Sequence, residues 1–259
     1  MNHNIKPLLY ALMLSAVGLF VFGSCDQEAD NKQWVSIFNG ADLDGWTVKI
    51  SGSPPGVDTF NTFIVEDSIL KVSYEQYDAF NNRYGHLFYN TPLSRYRLKL
   101  QYRFTGEKLP DSPWWTENNS GVMIHSQAPE SMPLIPDPMD ENVDFLNHFP
   151  TSVECQLLAD AVTANACQIH TIIDVNGEKA GERNISSNSA QYAPGEWVRL
   201  EIVVLADSVV HHIIEGDTVL TYSNLRLEDN SPLAAGFIAL QAESQPVEFK
   251  HIKIMQLSE

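Results

Sequence analysis

Strict period-two alternation dominates this chain and limits what it can become. Tyr96, Leu98, Leu100, Tyr102 and Phe104 alternate with Arg97, Lys99, Gln101 and Arg103, so in an extended conformation one face is apolar and the other charged. A helix would scatter the same residues around its circumference. Further runs at 62–65, 69–74, 121–125, 153–158, 168–175, 197–205, 209–214 and 218–222 read as strands, and Asp67-Ser68, Asn176-Gly177 and Glu215-Gly216-Asp217 supply turns between them. No stretch sustains a 3.6-residue apolar period. Many short strands joined by polar turns predict an all-β chain built from two packed antiparallel sheets.

The first residues read as an address. Lys6 provides a positive start, 8–22 is apolar but short for a membrane span, and Phe22-Gly23-Ser24 places small residues before Cys25. The pattern resembles a bacterial lipoprotein signal over 1–24, with Cys25 as the lipidated residue, 25–33 as a polar tether and 34–259 as a single β-sandwich domain. An ordinary signal peptide with an incidental cysteine is the alternative. Acidic residues after Cys25 resemble the surface-export signal of Bacteroidetes lipoproteins, so the expected location is the outer membrane, facing outward. The membrane is met through the N-terminal lipid only.

Hydrophobic residues make up 44% of the sequence and charged residues 19%, enough for a core and too few charges for a disordered chain. A formal charge of −17 argues against nucleic acid, whose phosphates need clustered Lys and Arg. No P-loop, glycine-rich dinucleotide fingerprint, H-E-x-x-H or nucleophile elbow is present, so no nucleotide cofactor is expected. A divalent cation would relieve crowded carboxylates, and His125 with Glu154 is the candidate ligand pair.

Two segments carry matched polar pairs. Val153, Cys155 and Leu157 can fill a core while Glu154 and Gln156 point the other way; Ile238, Leu240 and Ala242 alternate in the same manner with Gln241 and Glu243. Glu and Gln among apolar neighbours suit the floor of a polar groove. Two long Pro-containing segments, 106–118 and 128–150, flank the His125 and Glu154 strands and are expected to rim that groove. Cys155 and Cys167 are an even pair in an exported chain, and whether they are bonded stays open.

The chain resembles the 3-keto-disaccharide hydrolase family in four ordered places. These are Phe38-Asn39-Gly40-Ala41-Asp42-Leu43-Asp44-Gly45-Trp46, Asn119-Ser120-Gly121-Val122-Met123-Ile124-His125-Ser126-Gln127, Phe149-Pro150-Thr151-Ser152-Val153-Glu154-Cys155-Gln156-Leu157-Leu158, and Gly236-Phe237-Ile238-Ala239-Leu240-Gln241-Ala242-Glu243 followed by Val247-Glu248-Phe249-Lys250-His251-Ile252. The resemblance spans Trp34 to the end. It implies a jelly-roll sandwich of the concanavalin A-like lectin and glucanase type, with the site on the concave sheet. Relatives carry a further Cys near the position of Asn184, which is absent here.

What the resemblance implies about activity is cleavage of 3-keto-glycosides or 3-keto-disaccharides. A ketone at C3 acidifies the C2 hydrogen, so a base can remove it and expel the C1 substituent, after which water adds back. The catalytic candidates are Glu154, His125 and Glu243. Gln156, Gln241, Arg103, Trp114, Trp115 and His170 are the candidate substrate contacts, the tryptophans by stacking on a sugar ring. Each has a structural alternative: a strand-end histidine held by a hydrogen bond, carboxylates paired with Arg103 or Lys250, tryptophans plugging a loop base. The rival to an enzyme is a carbohydrate-binding surface lipoprotein using the same sheet without turnover, or a scaffolding lipoprotein in which the polar pairs are incidental. The catalytic expectation requires His125, Glu154 and Glu243 to meet in one water-accessible hollow.

Overall fold

The computed structural model describes residue 1 and residues 33–258. Apart from its first residue, the signal at 1–24, together with Cys25 and the tether up to residue 32, therefore lies outside the described residues. Alternation becomes strands in chain order: β1 (Val35–Ser36), β2 (Trp46–Ile50), β3 (Phe63–Glu66), β4 (Ile69–Val72), β5 (Gly85–Tyr89), β6 (Arg95–Phe104), β7 (Asn119–Ser126), β8 (Ser152–Leu158) and β9 (Asn165–Ile169). They continue as β10 (Thr171–Val175), β11 (Glu178–Lys179), β12 (Asn184–Ile185), β13 (Val198–Leu205), β14 (Val209–Ile214), β15 (Asp217–Leu227), β16 (Phe237–Ala242) and β17 (Val247–Gln256).

These strands form a two-sheet antiparallel jelly-roll sandwich. A ten-stranded sheet runs β11-β10-β15-β14-β13-β6-β17-β4-β3, with β1 also on β17, and a seven-stranded sheet runs β12-β9-β8-β7-β16-β5-β2. The core lies between them. Tyr96, Leu98, Leu100, Tyr102 and Phe104 of β6 turn inward with at most 2% exposure, and Val122, Ile124, Val153, Cys155, Leu157, Ile238 and Leu240 fill the space from the other sheet. Each of the Val, Leu, Ile and Phe side chains contributes roughly 1.5–3 kcal/mol when taken out of water. The charged face of β6 looks outward, where Arg103 pairs with Glu248 at 2.7 Å and Lys99 stacks 3.8 Å from the centre of the Trp34 ring.

The seven-stranded sheet is buried on both faces. Every residue of β7 is buried, because long loop segments cover much of the sheet's outer side while the other sheet covers its inner side.

Two corrections to the strand reading matter for function. The run 168–175 is two strands, since β9 belongs to the seven-stranded sheet and β10 to the ten-stranded one; the chain crosses over at His170, whose φ is +52°. β7 also carries a bulge near its end. Phe237 pairs with Ser126 and Ala239 with Met123, so Ile124 and His125 together oppose Ile238. His125 takes the extra place with φ +50°. Gly236 allows this, because a Cβ there would sit 2.4 Å from the His125 carbonyl carbon.

Register also settles the cysteines. Cys155 lies opposite Ala166 and Glu154 opposite Cys167, so the two sulfurs belong to opposite faces of the sheet, and both thiols are free. Reductant is accordingly expected to leave the melting temperature unchanged within about 1 °C, because no cross-link limits the unfolded chain. A drop of several degrees in scanning calorimetry would contradict the register.

Candidate active site

The outer face of the seven-stranded sheet holds the groove. β8 sends Glu154 and Gln156 to this side, β9 adds Cys167 and Ile169, and the end of β16 adds Gln241 and then Glu243. Trp114, Trp115, Phe145 and Phe149 from the two long loops wall the hollow, which encloses about 600 Å³. Trp114 and Trp115 stand edge to face at 6.0 Å and Trp115 meets Phe145 at 6.1 Å. Trp114 is 81% exposed, which leaves its ring face open to a ligand rather than plugging a core.

Local hydrogen bonds fix the floor. Gln156 Nε2 donates to Asn119 Oδ1 at 3.4 Å, and Asn119 Nδ2 donates to the Trp115 carbonyl at 3.0 Å, tying the tryptophan loop to the strand. Ser120 Oγ donates to the Gln241 carbonyl at 2.9 Å. Ser244 turns the chain with φ +75°, and its amide donates to Tyr74 Oη at 2.7 Å. That anchor holds Glu243 at the strand end. Glu154 lies over Gly121, where an added Cβ would stand 2.3 Å from its Oε1.

Electrostatics separate these carboxyls from ordinary ones. Burial pushes Glu154 up to about 8, with the Arg183 guanidinium and a hydrogen bond from the Cys167 thiol pulling it partly back. Burial also raises Glu243 well above the usual carboxylate range, the nearby Glu154 charge raises it further, and Arg183 opposes both. Two carboxyls that repel one another in a poorly solvated hollow hold a proton at neutral pH. Glu154 Oε1 and Gln241 Oε1 are buried without a hydrogen-bond partner. Such atoms at a groove floor await a donor from a ligand.

Several expected contacts lie elsewhere. His125 does not join the carboxyls: by alternation it would follow Gly121 and Met123 onto the groove face, but the bulge turns it inward, where Nε2 donates to the Ala206 carbonyl at 3.2 Å and the ring meets Tyr96 at 6.1 Å. It and Glu154 therefore occupy opposite faces and cannot share a cation, so the expected three-residue convergence fails: of the three only Glu154 and Glu243 line the hollow, and any chemistry there proceeds without the His125 imidazole. Among the described residues no three His, Cys, Asp or Glu side chains gather as metal ligands. Arg103 is on the other sheet, paired with Glu248 and stacked 4.6 Å from the Trp197 ring centre. His170 lines a neighbouring depression near Glu228, outside the groove.

Sequence reasoning alone does not single out Arg183, Asn119, Gly121 or the groove-facing place of Cys167. Asn119 and Gly121 were legible by parity with Met123. Arg183 was not, because it leads into a two-residue edge strand, β12, that carries no alternation.

Residues 33–255 match the profile of the 3-keto-alpha-glucoside-1,2-lyase-like domain. The chain belongs to that family. Two solved structures share the fold of this 3-keto-alpha-glucoside-1,2-lyase-like domain: candidate glycosyl hydrolases from Parabacteroides distasonis ATCC 8503. One is 17% identical, with 90% of this chain and 97% of the other covered at a TM-score of 0.52. The second is also 17% identical, with 87% and 100% covered at 0.50. No functionally curated protein matches the chain.

Proposed function

We propose that this groove binds a carbohydrate and cleaves 3-keto-glycosides by elimination across C1 and C2. Glu154, when ionised, takes the C2 proton made acidic by the C3 ketone. The C2–H and C1–O bonds break, C1=C2 forms, and the leaving oxygen receives a proton from Glu243, which burial keeps protonated. Water adding across the new double bond completes a net hydrolysis. Arg183, Gln241 and Gln156 line the same hollow, and in this reading their N–H groups hydrogen-bond the oxygen on which enolate charge gathers. The Trp114 ring offers a stacking face at the groove mouth.

The observation that carries this reading is the pairing of two buried carboxyls, both raised, in one hollow that Arg183 also lines and whose charge opposes both shifts. A sugar-binding groove without chemistry would not need to desolvate two acids, since burying them costs stability. The base must be ionised and Glu154 titrates near 8. Release of aglycone from a 3-keto-α-glucoside is therefore expected to rise about tenfold per pH unit below pH 7 and to level off above roughly pH 8. Stopped assays over a panel of 3-keto-glycosides between pH 5 and 9 measure it. Tight binding with no release from any member would make the protein a carbohydrate-binding one instead.

A further inference from the structure

The outer face of the ten-stranded sheet gathers cations that the net charge of −17 hides. Across its middle, Lys99 of β6 lies opposite Lys253 of β17 on one side and Glu201 of β13 on the other, and Gln101 lies between Lys250 and Arg199. Arg97 and Arg103 extend the row along β6. Glu201 pairs with Arg97, and Glu248 with Arg103. Lys99, Lys250 and Lys253 pair with no carboxylate among the described residues.

Two lysines directly opposite one another repel, and β17 adds to the crowding. A bulge between Lys250 and Lys253 puts His251 on the exposed side with φ +56°, so Lys99, Lys253, His251 and Arg199 line one depression of about 390 Å³. Glu201 and Glu215 line it too, each already held by an arginine. An anion set between the lysines would relieve their repulsion. Two tryptophans stand on the same face: Lys99 Nζ is 3.8 Å from the Trp34 ring centre and Lys250 Nζ 3.7 Å from that of Trp197. Such rings, apolar with a polar tip, suit the boundary between water and lipid. The described chain also begins here, since β1 is laid along β17. Cys25, expected to carry lipid, has at most about 30 Å of extended chain before Trp34.

We propose that this face docks on anionic lipid headgroups, with a headgroup phosphate between Lys99 and Lys253, and so holds the groove of the opposite sheet turned away from the membrane. Such docking departs from the expectation that the membrane is met through the lipid alone. Net charge does not oppose it. Packed sheets lie roughly 10 Å apart, so acids carried by the other sheet and its loops are beyond the roughly 8 Å over which charge acts at physiological salt. The docking is independent of the chemistry assigned to the groove.

Co-sedimentation of the full chain with vesicles tests it, phosphatidylcholine alone against phosphatidylcholine with roughly a third phosphatidylglycerol. At about 0.05 M salt the anionic vesicles should bind about a hundredfold more tightly, and about 0.5 M salt should erase the difference. A lipid on Cys25, or the apolar segment 8–22, strengthens binding to both kinds of vesicle and cancels in the ratio. Lys99→Gln with Lys253→Gln should cut the ratio about twentyfold, with the melting temperature moved by less than about 2 °C. A ratio near one, or one that survives high salt or the double substitution, would overturn the docking. Inorganic phosphate titrated calorimetrically into the native and doubly substituted chains separates a free-anion site. Binding heat that needs both lysines, without any preference for anionic vesicles, would make the depression a site for small phosphates and end the membrane reading.

Discussion

Replacing Glu154 by Gln is expected to lower kcat by roughly a thousandfold while leaving affinity for a 3-keto-glycoside within about threefold, because a general base is lost and shape is retained. The same substitution should stabilise the protein at alkaline pH. Glu154 binds its proton more tightly folded, near 8, than it would unfolded, near 4.5. Its neutral form is thus the one the fold accepts. Stability linked to this group is fully present below pH 4.5 and drains away as pH rises toward 8, by roughly 4 kcal/mol at the upper end. Glu154→Gln removes that loss, so its melting temperature should exceed the native one by roughly 5–10 °C at pH 8 and match it at pH 4.5. A variant that turns over within tenfold of the native rate would remove Glu154 from the chemistry. One that shows no pH-dependent gain in calorimetry would show that the carboxyl is not desolvated.

The second large effect is expected from Gly121→Ala. Gly121 has no left-handed φ, and the three atoms nearest to a Cβ there all belong to Glu154: Oε1 at 2.3 Å, Cγ at 2.8 Å and Cδ at 2.9 Å. The backbone tolerates alanine; the carboxyl does not. Displacing Glu154 by even an ångström misaligns it with the C2 hydrogen, and losses of about a hundredfold accompany such shifts. Gly121→Ala should therefore lower kcat/KM about a hundredfold and move the melting temperature by no more than about 3 °C. Native turnover from this variant would mean that Glu154 need not sit where the glycine lets it.

Alternation made the sandwich readable, because strands such as β6 and β8 have one face against a core and keep strict parity. Parity names a face but not a sheet, which is why Arg103 and Glu154 looked like neighbours while facing out from opposite sides of the molecule. It also fails wherever an extra residue enters. Spacing alone puts His125 with the carboxyls, and the bulge turns it to the other face. The corner at His170 was hidden because apolar and β-branched residues run through it with no Gly or Pro to mark a change of sheet. Arg183 was invisible for a different reason, since it precedes a two-residue strand.

At one end of each sheet the ladder stops in a strand of only two residues, Glu178–Lys179 in the larger and Asn184–Ile185 in the smaller. Stubs so short, one of them fully charged, expose too little unpaired backbone to template another chain. Copies that meet along these two edges should therefore stay separate rather than zip together, a property that lengthening either stub with apolar β-branched residues would take away.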